Sequence, residues 1–262
     1  MNLDLTGKTA LVCGSTQGIG LATAIELALL GANVTLVARD EERLRIAVEK
    51  LDTSASQLHR YVVADFSEHQ QVKEAIDSYL RLCPDVHILV NNTGGPKGGP
   101  IIEADTSAFL KAFEMHIVNN HFLVQSVLPS MKKAGYGRIV NIISTSVKQP
   151  IAGLGVSNTT RGAVASWAKT LSLEIAHFGI TVNNVLPGYT ETARLNAVFE
   201  MRAQSQGKSV EEVSKELQQS IPIRRFSEPE ETAAAVAFLC SPAAGSINGV
   251  SLPVDGGRTE SI

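Results

Sequence analysis

The stretch Gly14-Ser15-Thr16-Gln17-Gly18-Ile19-Gly20 decides the fold of this chain. It follows an apolar run at residues 9–13, which is typical of a buried strand, and precedes residues 21–30, whose apolar side chains recur at helical spacing. A glycine-rich turn between a strand and a helix lets the backbone approach a pyrophosphate, which the positive end of the helix attracts. The first glycine permits the tight turn, and the other two give the phosphates room. The sequence therefore predicts a dinucleotide-binding βαβ unit in the first third of the chain.

Beyond this unit, strand-like and helix-like segments alternate to the end of the chain. The predicted strands are residues 34–38, 61–64, 87–90, 138–143, 181–186 and 249–254, and the predicted helices are residues 41–51, 71–82, 109–131, 156–178 and 231–239. Apolar strands that lack polar alternation and are separated by helices indicate a parallel sheet covered on both faces. We predict an α/β fold, a doubly wound parallel sheet in a single domain that spans residues 1–262.

A polar, helix-prone insert at residues 193–222 interrupts the alternation directly after the sixth strand. This position is the carboxyl edge of the sheet, where open α/β sheets bind their ligands. The insert is either a lid over the substrate or a pair of surface helices, and the sequence favours neither interpretation.

The composition argues against several classes of function. The 262 residues are 44% hydrophobic and 19% charged, and the formal net charge of −3 leaves no basic surface for nucleic acid. The three cysteines, Cys13, Cys83 and Cys240, are widely spaced and form no CxxC pair, so we expect neither a disulfide framework nor a metal site. Because no leader sequence and no apolar run of about 20 residues is visible, we expect a cytoplasmic protein without a membrane partner.

Three more motifs follow the glycine turn in chain order. Asn91-Asn92-Thr93-Gly94 follows the fourth strand, Pro187-Gly188-Tyr189-Thr190-Glu191-Thr192 follows the sixth, and Leu252-Pro253-Val254-Asp255-Gly256-Gly257 lies near the end. Together with the GxxxGxG spacing of the turn, these motifs resemble those of the short-chain dehydrogenase/reductase family over nearly the whole chain, and most closely those of the ketoacyl-carrier-protein reductases. The resemblance implies a Rossmann fold, NAD(P)-dependent oxidation or reduction of a small-molecule alcohol or carbonyl substrate, and assembly as a homotetramer or homodimer.

The end of the second strand bears on the choice of cofactor. An acid at this point normally binds the ribose 2′-hydroxyl of NAD, whereas an arginine accommodates the 2′-phosphate of NADP. Arg39 directly follows the second predicted strand, and Asp40 lies one position later than the acid that binds the ribose. We therefore predict NADP and keep NAD as the alternative. The resemblance places Asp65 at the adenine, Asn92 beside the ribose and Thr192 at the nicotinamide amide. The predicted cofactor-binding residues are Gly14, Ser15, Gln17, Gly18, Ile19, Gly20, Arg39, Asp65, Phe66, Asn92, Thr93, Gly94, Arg161, Pro187, Gly188, Thr190 and Thr192.

The catalytic pattern of the family is altered in this chain. The family uses a tyrosine as general acid or base, a lysine four residues later, a serine on the fifth strand, and an asparagine in the preceding long helix. Ser144 stands at the serine's place, but Ser157 and Arg161 occupy those of the tyrosine and the lysine, and the asparagine's place falls on Ile117 or His116. One of the four residues is therefore retained.

The two replacements change the chemistry. Ser157 and Arg161 lie one helical turn apart and share a face. A guanidinium can bond the ribose hydroxyls, but it does not release its proton and cannot relay one. A serine hydroxyl is shorter than a tyrosine side chain and is a poorer acid than a phenol, whose pKa is about 10. We therefore expect a non-standard proton donor.

Candidates for that donor are Lys148, which follows Ser144 in a loop, Tyr189, and His116 or His121 in the long helix. The predicted catalytic residues are Ser144, Ser157, Arg161, Lys148 and Tyr189.

Two functional hypotheses remain open. The retained Ser144 favours an oxidoreductase with a rearranged proton donor, whereas the loss of the tyrosine favours a cofactor-binding sensor, regulatory or scaffold protein without hydride transfer. A lyase that uses the same pocket is a weaker third hypothesis.

Overall fold

Seven parallel strands form one sheet in the computed structural model, which describes residues 1–261. The strands are β1 (Thr9–Cys13), β2 (Asn33–Ala38), β3 (Arg60–Val63), β4 (Ile88–Asn91), β5 (Gly137–Ile142), β6 (Ile180–Pro187) and β7 (Ser251–Val254). They lie in the order β3-β2-β1-β4-β5-β6-β7, and all neighbours pair in parallel. The predicted doubly wound parallel sheet is confirmed.

Helices cover both faces of the sheet. They are α1 (Gly18–Leu29), α2 (Glu41–Val48), α3 (His69–Leu82), α4 (Thr106–Phe113), α5 (Asn119–Ala134), α6 (Gly155–Ile175), α7 (Ala193–Gln206), α8 (Val210–Gln219) and α9 (Pro229–Cys240). Successive side chains of a strand point to opposite faces. In β1, Ala10 and Val12 pack into one core with α1, α2 and α9, whereas Leu11 and Cys13 pack into a second core with α3, α5 and α6. None of the helices in this part of the chain is both long and apolar enough to cross a membrane.

The strand order reverses between β1 and β4, which lie side by side with Val12 level with Val90. The loops that leave the carboxyl ends of these two strands diverge, and a binding crevice forms at such a switch point. The glycine turn after β1 and the loop after β4 meet there, because Asn92 Nδ2 donates a hydrogen bond to the Gly14 carbonyl oxygen at 3.1 Å.

The helix that we predicted at residues 109–131 is not continuous. α4 ends at Phe113, residues Glu114–Val118 form a π-helical turn, and α5 begins at Asn119. A π-helical turn fits one extra residue into a helix, and such turns are frequent at functional sites. Here the turn directs His116 toward the loop after β4, where its Nδ1 lies 2.7 Å from Thr93 Oγ1.

The insert after β6 folds into α7 and α8. The two helices share a small apolar cluster with the loop that follows them, built from Leu195, Phe199, Val213, Leu217 and Phe226. Side chains of α7 also line the cavity at the carboxyl edge of the sheet. The insert therefore reaches the candidate site through α7, whereas α8 contributes no residue to the cavity lining.

Candidate active site

A cavity of about 530 Å³ lies at the carboxyl edge of the sheet, between the glycine turn and α7. The predicted residues that line it are Gly14, Gln17, Gly18, Ile19, Asn92, Thr93, Gly94, Ser144, Ser157, Arg161, Pro187, Gly188, Tyr189, Thr190 and Thr192. The predicted residues outside its lining are Ser15, Gly20, Arg39, Asp65, Phe66 and Lys148. Motifs that are far apart in the sequence therefore meet at one site.

The three glycines of the turn have different physical roles. Gly14 and Gly18 adopt left-handed backbone angles, with φ of 59° and 56°, that glycine takes without strain. A Cβ on Gly20 would overlap the Gly14 carbonyl oxygen and lie 2.7 Å from Asn92 Nδ2. Gly20 therefore lets the turn pack against itself and against the loop after β4, and its room for the phosphates stays a prediction.

The Ser15 hydroxyl belongs to the sheet. Its Oγ donates to the Val12 carbonyl oxygen at 2.8 Å and accepts from the Val37 N–H at 3.1 Å, and the residue is fully buried. The side chain is thus not available to a cofactor, and only the backbone of Ser15 remains a candidate contact.

The carboxyl ends of β2 and β3 present one exposed cation. Arg39 has a side chain that is 77% exposed, and its guanidinium lies 3.9 Å from the Asp65 carboxylate. Asp65 accepts hydrogen bonds from the Ser67 backbone N–H and hydroxyl, and the backbone bond holds the pKa of Asp65 below its usual value. Phe66 packs in the core beside α3, and its carbonyl oxygen accepts from Asn119 Nδ2 at 2.8 Å, so its side chain is not offered to a ligand.

Arg161 connects the end of β5 to the loop after β4. The residue is buried, and its guanidinium donates to the Ile142 carbonyl oxygen at 2.9 Å and to the Thr93 carbonyl oxygen at 3.4 Å. Burial and the nearby charge of Arg194 lower its pKa to about 10, which leaves it charged at neutral pH. Ser157 lies one turn earlier on α6, and Ser144 Oγ accepts the Ser146 N–H at 3.1 Å.

The structure settles which residue of the long helix faces Thr93. His116 does so from the π-helical turn, whereas Ile117 packs with Val164 and Leu186 in an apolar cluster. Burial, and then the charge of Arg161, lower the pKa of His116 to about 2. Its imidazole is therefore neutral at physiological pH. No group within residues 1–261 hydrogen-bonds its buried Nε2 atom.

The other candidate proton donors are placed differently. Tyr189 lines the cavity, and its hydroxyl accepts a hydrogen bond from Arg258 at 3.3 Å. Lys148 is half-buried but lies outside the cavity lining. His121 packs against Trp167, with ring centroids 6.3 Å apart, and is also outside the lining. Tyr189 is thus the proton-donor candidate that the fold brings to the cavity.

Sequence reasoning missed three arginines of the cavity wall. Arg194 and Arg202 lie on α7, and Arg258 directly follows the glycine pair that ends the last motif. Their positions in the insert and beside a motif were the available signal. In the part of the chain that the structure describes, no group of three or more His, Cys, Asp or Glu residues is arranged to hold a metal ion.

A parallel sheet with a glycine turn at its switch point and a cavity above it defines a dinucleotide-binding α/β protein. A family model described as enoyl-(acyl carrier protein) reductase matches residues 14–259. This chain belongs to the short-chain dehydrogenase/reductase family, as its motifs predicted, and several of its relatives are reductases.

Related proteins and solved structures match nearly the whole chain. A 3-oxoacyl-(acyl-carrier-protein) reductase of Aquifex aeolicus is 30% identical over 257 residues, which are 98% of this chain and 99% of the relative. The L-sorbose reductase of Gluconobacter frateurii, solved with NADPH and L-sorbose, is 30% identical with a TM-score of 0.92 and covers 100% of both chains. An actinorhodin polyketide ketoreductase, solved with NADPH, is 33% identical with a TM-score of 0.90 and covers 97% of both chains.

Proposed function

We propose that this chain is an NADP(H)-dependent oxidoreductase that interconverts a carbonyl and an alcohol with a proton donor other than the family's tyrosine. One observation carries the proposal: the glycine turn lines the same cavity as Ser144, Ser157 and Arg161. A protein that only senses the cofactor has no need of a serine that polarises a carbonyl, so the retained Ser144 supports a reaction.

The residues at the switch point fit a phosphorylated dinucleotide. A Cβ on Gly18 would lie 3.1 Å from Thr192 Cγ2, so glycine keeps the space between the turn and the segment after β6 open. The backbone N–H groups at the start of α1 would hold the pyrophosphate, and the exposed Arg39 would hold the 2′-phosphate. Two similar solved structures contain NADPH. When bound, this cofactor supplies the hydride.

Carbonyl reduction needs a group that polarises the carbonyl, a charge that stabilises the developing oxyanion, and a proton donor. Because the Ser144 hydroxyl accepts from the Ser146 N–H, its own proton is free to bond a carbonyl oxygen. Arg161 supplies a permanent positive charge.

We propose Tyr189 as the proton donor. Its hydroxyl accepts from Arg258 and keeps its O–H for the substrate, and Lys148 lies outside the cavity lining.

The test has two stages. NADPH binding is followed by nicotinamide fluorescence, and NADPH oxidation is then measured over a panel of ketones, aldehydes and oxo acids. We expect Ser144→Ala and Tyr189→Phe each to lower kcat by about a hundredfold or more without changing NADPH affinity. The control Ser126→Ala, on α5 and outside the cavity lining, should leave both quantities unchanged. Unaltered turnover in Ser144→Ala would refute the role of this residue.

The alternative is a cofactor-binding protein that has lost hydride transfer. It is favoured by the absence of tyrosine from α6 and by the neutral, buried His116. Tight NADPH binding with no oxidation by any compound of the panel would select this alternative and reject the oxidoreductase.

A further inference from the structure

Arginine dominates the charged groups of the cavity wall. Arg161, Arg194, Arg202 and Arg258 line it, and Glu191 is the sole carboxylate among the lining residues that the structure describes. Within residues 1–261, no ion pair involves any of the four arginines. Positive charge in a concave site is costly unless it is paired, so the wall is suited to an anionic ligand.

Two of these arginines converge on one aromatic ring. The guanidinium of Arg258 lies 4.5 Å from the centroid of the Tyr189 ring, and that of Arg202 lies 5.9 Å from it. Arg258 also donates to the Tyr189 hydroxyl at 3.3 Å. Both side chains are partly buried. The ring therefore holds two planar donor groups at one end of the cavity, with further N–H groups left to bind a ligand.

Asp255, three residues before Arg258, does not neutralise it. Asp255 uses one carboxylate oxygen to accept the Gly257 N–H at 3.0 Å and the other to accept the Thr259 N–H at 2.8 Å. These bonds shape the turn that carries Arg258 to the cavity. They leave the guanidinium without a charge partner.

The other two arginines meet at the loop after β4. A Cβ on Gly95 would lie 3.4 Å from Arg194 Nη2 and 3.9 Å from Arg161 Nη2. Arg194 donates to the Pro96 carbonyl oxygen at 2.7 Å, which is a neutral acceptor. The repulsion between these two guanidinium groups is therefore not relieved by a protein carboxylate.

We infer that the substrate carries an anionic group, of the carboxylate or phosphate type, in addition to the reacting carbonyl or alcohol, and that Arg202 and Arg258 hold it beside Tyr189. This inference rests on the proposed function for the reacting group. The phosphates of the cofactor are expected elsewhere, at the start of α1 and at Arg39. Arginine suits the role because its donors match both oxygens of a carboxylate or phosphate.

The test uses probe pairs whose members differ in charge. They are 4-methyl-2-oxopentanoate and 3-oxohexanoate against their methyl esters, and dihydroxyacetone phosphate against dihydroxyacetone. Binding is measured by calorimetry on protein saturated with NADP⁺, so that the cofactor's own phosphates are already bound. We expect an anionic probe to bind at least about tenfold more tightly than its neutral partner, as hydrogen bonds to charged groups allow.

Variants assign that preference to the two arginines. Arg202→Met and Arg258→Met should each weaken binding of the anion by about tenfold or more, whereas Arg258→Lys should retain most of it. The control Arg45→Met removes the same formal charge from α2, where Arg45 pairs with Glu42 at 2.8 Å, and should change nothing. Circular dichroism and thermal melting confirm that each variant is folded.

Three results would overturn the inference. They are equal affinity for the members of every pair, no saturable binding of any anionic probe, and a loss of NADP⁺ affinity in the Arg202 and Arg258 variants with anion affinity unchanged. Anion binding without NADPH oxidation would instead refute hydride transfer and leave the anion site standing. Oxidation that is equally fast with neutral and anionic probes would refute the anion site and leave the oxidoreductase standing.

Discussion

The buried His116 makes the stability of this protein depend on pH in a way that one substitution can isolate. Its pKa falls from 6.5 to about 2 in the folded protein because burial and the charge of Arg161 disfavour the imidazolium. In the unfolded chain the same imidazole takes up a proton as the pH drops below about 6.5. The unfolded state therefore binds more protons, and the free energy of unfolding falls as the pH is lowered.

The size of the effect follows from the two pKa values. Well below the unfolded pKa, each pH unit costs about 1.4 kcal/mol, so lowering the pH from 7.5 to 5 costs about 2 kcal/mol through His116 alone. The loss continues down to the folded pKa of about 2. His116→Asn removes this titration and keeps a polar group beside Thr93.

The assay is urea unfolding of the wild type and His116→Asn at several pH values between 5 and 7.5. The free energy of unfolding of the wild type, minus that of His116→Asn, should fall by about 2 kcal/mol as the pH is lowered from 7.5 to 5. The contributions of the other titrating groups are the same in both proteins and cancel in this difference. His177→Asn, the same substitution at an exposed position, is the control. A difference that stays constant from pH 7.5 to 5 would refute the buried, neutral state of His116.

Three further predictions concern the cofactor end of the site. Gly20→Ala should destabilise the protein by about 3 kcal/mol or more, because the added Cβ would overlap the glycine turn. The control Gly162→Ala, which has open space around its Cβ in α6, should instead stabilise the protein by about 0.5–1 kcal/mol. Both changes are measured by thermal or urea unfolding. Ser15→Ala should cost about 1–3 kcal/mol of unfolding free energy and leave NADPH affinity unchanged, and weaker NADPH binding would indicate that its side chain contacts the cofactor. Arg39→Ala should weaken NADP⁺ binding in fluorescence titration by roughly fivefold more than NAD⁺ binding, a factor typical of an exposed charge pair, and equal weakening would remove the reason to prefer NADP.

The strands β1, β2, β4, β5 and β6 were predictable because they are buried on both faces, whereas β3 and β7 are more exposed. Such strands appear in the sequence as short apolar runs, and the predicted run at residues 9–13 coincides with β1. The predicted ends of helices and strands were less accurate. For example, α1 begins at Gly18, inside the glycine turn, and not at residue 21 as predicted. Hydrophobic periodicity locates the apolar face of a helix, but the first turn of α1 faces the cavity.

The candidate site was predictable where it follows motifs and unpredictable where it depends on tertiary placement. The π-helical turn that presents His116 adds a single residue to a helix, which barely changes the periodicity of the surrounding sequence. The meeting of Arg202 and Arg258 at Tyr189 joins a helix of the insert to the segment after the last strand. No local pattern in the sequence encodes that contact.

The arginine-rich wall also gives a physical reason for the altered pair on α6. A lysine at position 161 would be buried close to Arg194, and both burial and the like charge would favour loss of its proton. Arginine keeps its charge under the same conditions, since even the lowered pKa of Arg161 is about 10. A cavity that must hold several cations together thus favours arginine over lysine at this place. Because Ser157 replaces the family's tyrosine and Arg161 does not release its proton, we propose a proton donor elsewhere, at Tyr189, on whose ring Arg202 and Arg258 converge.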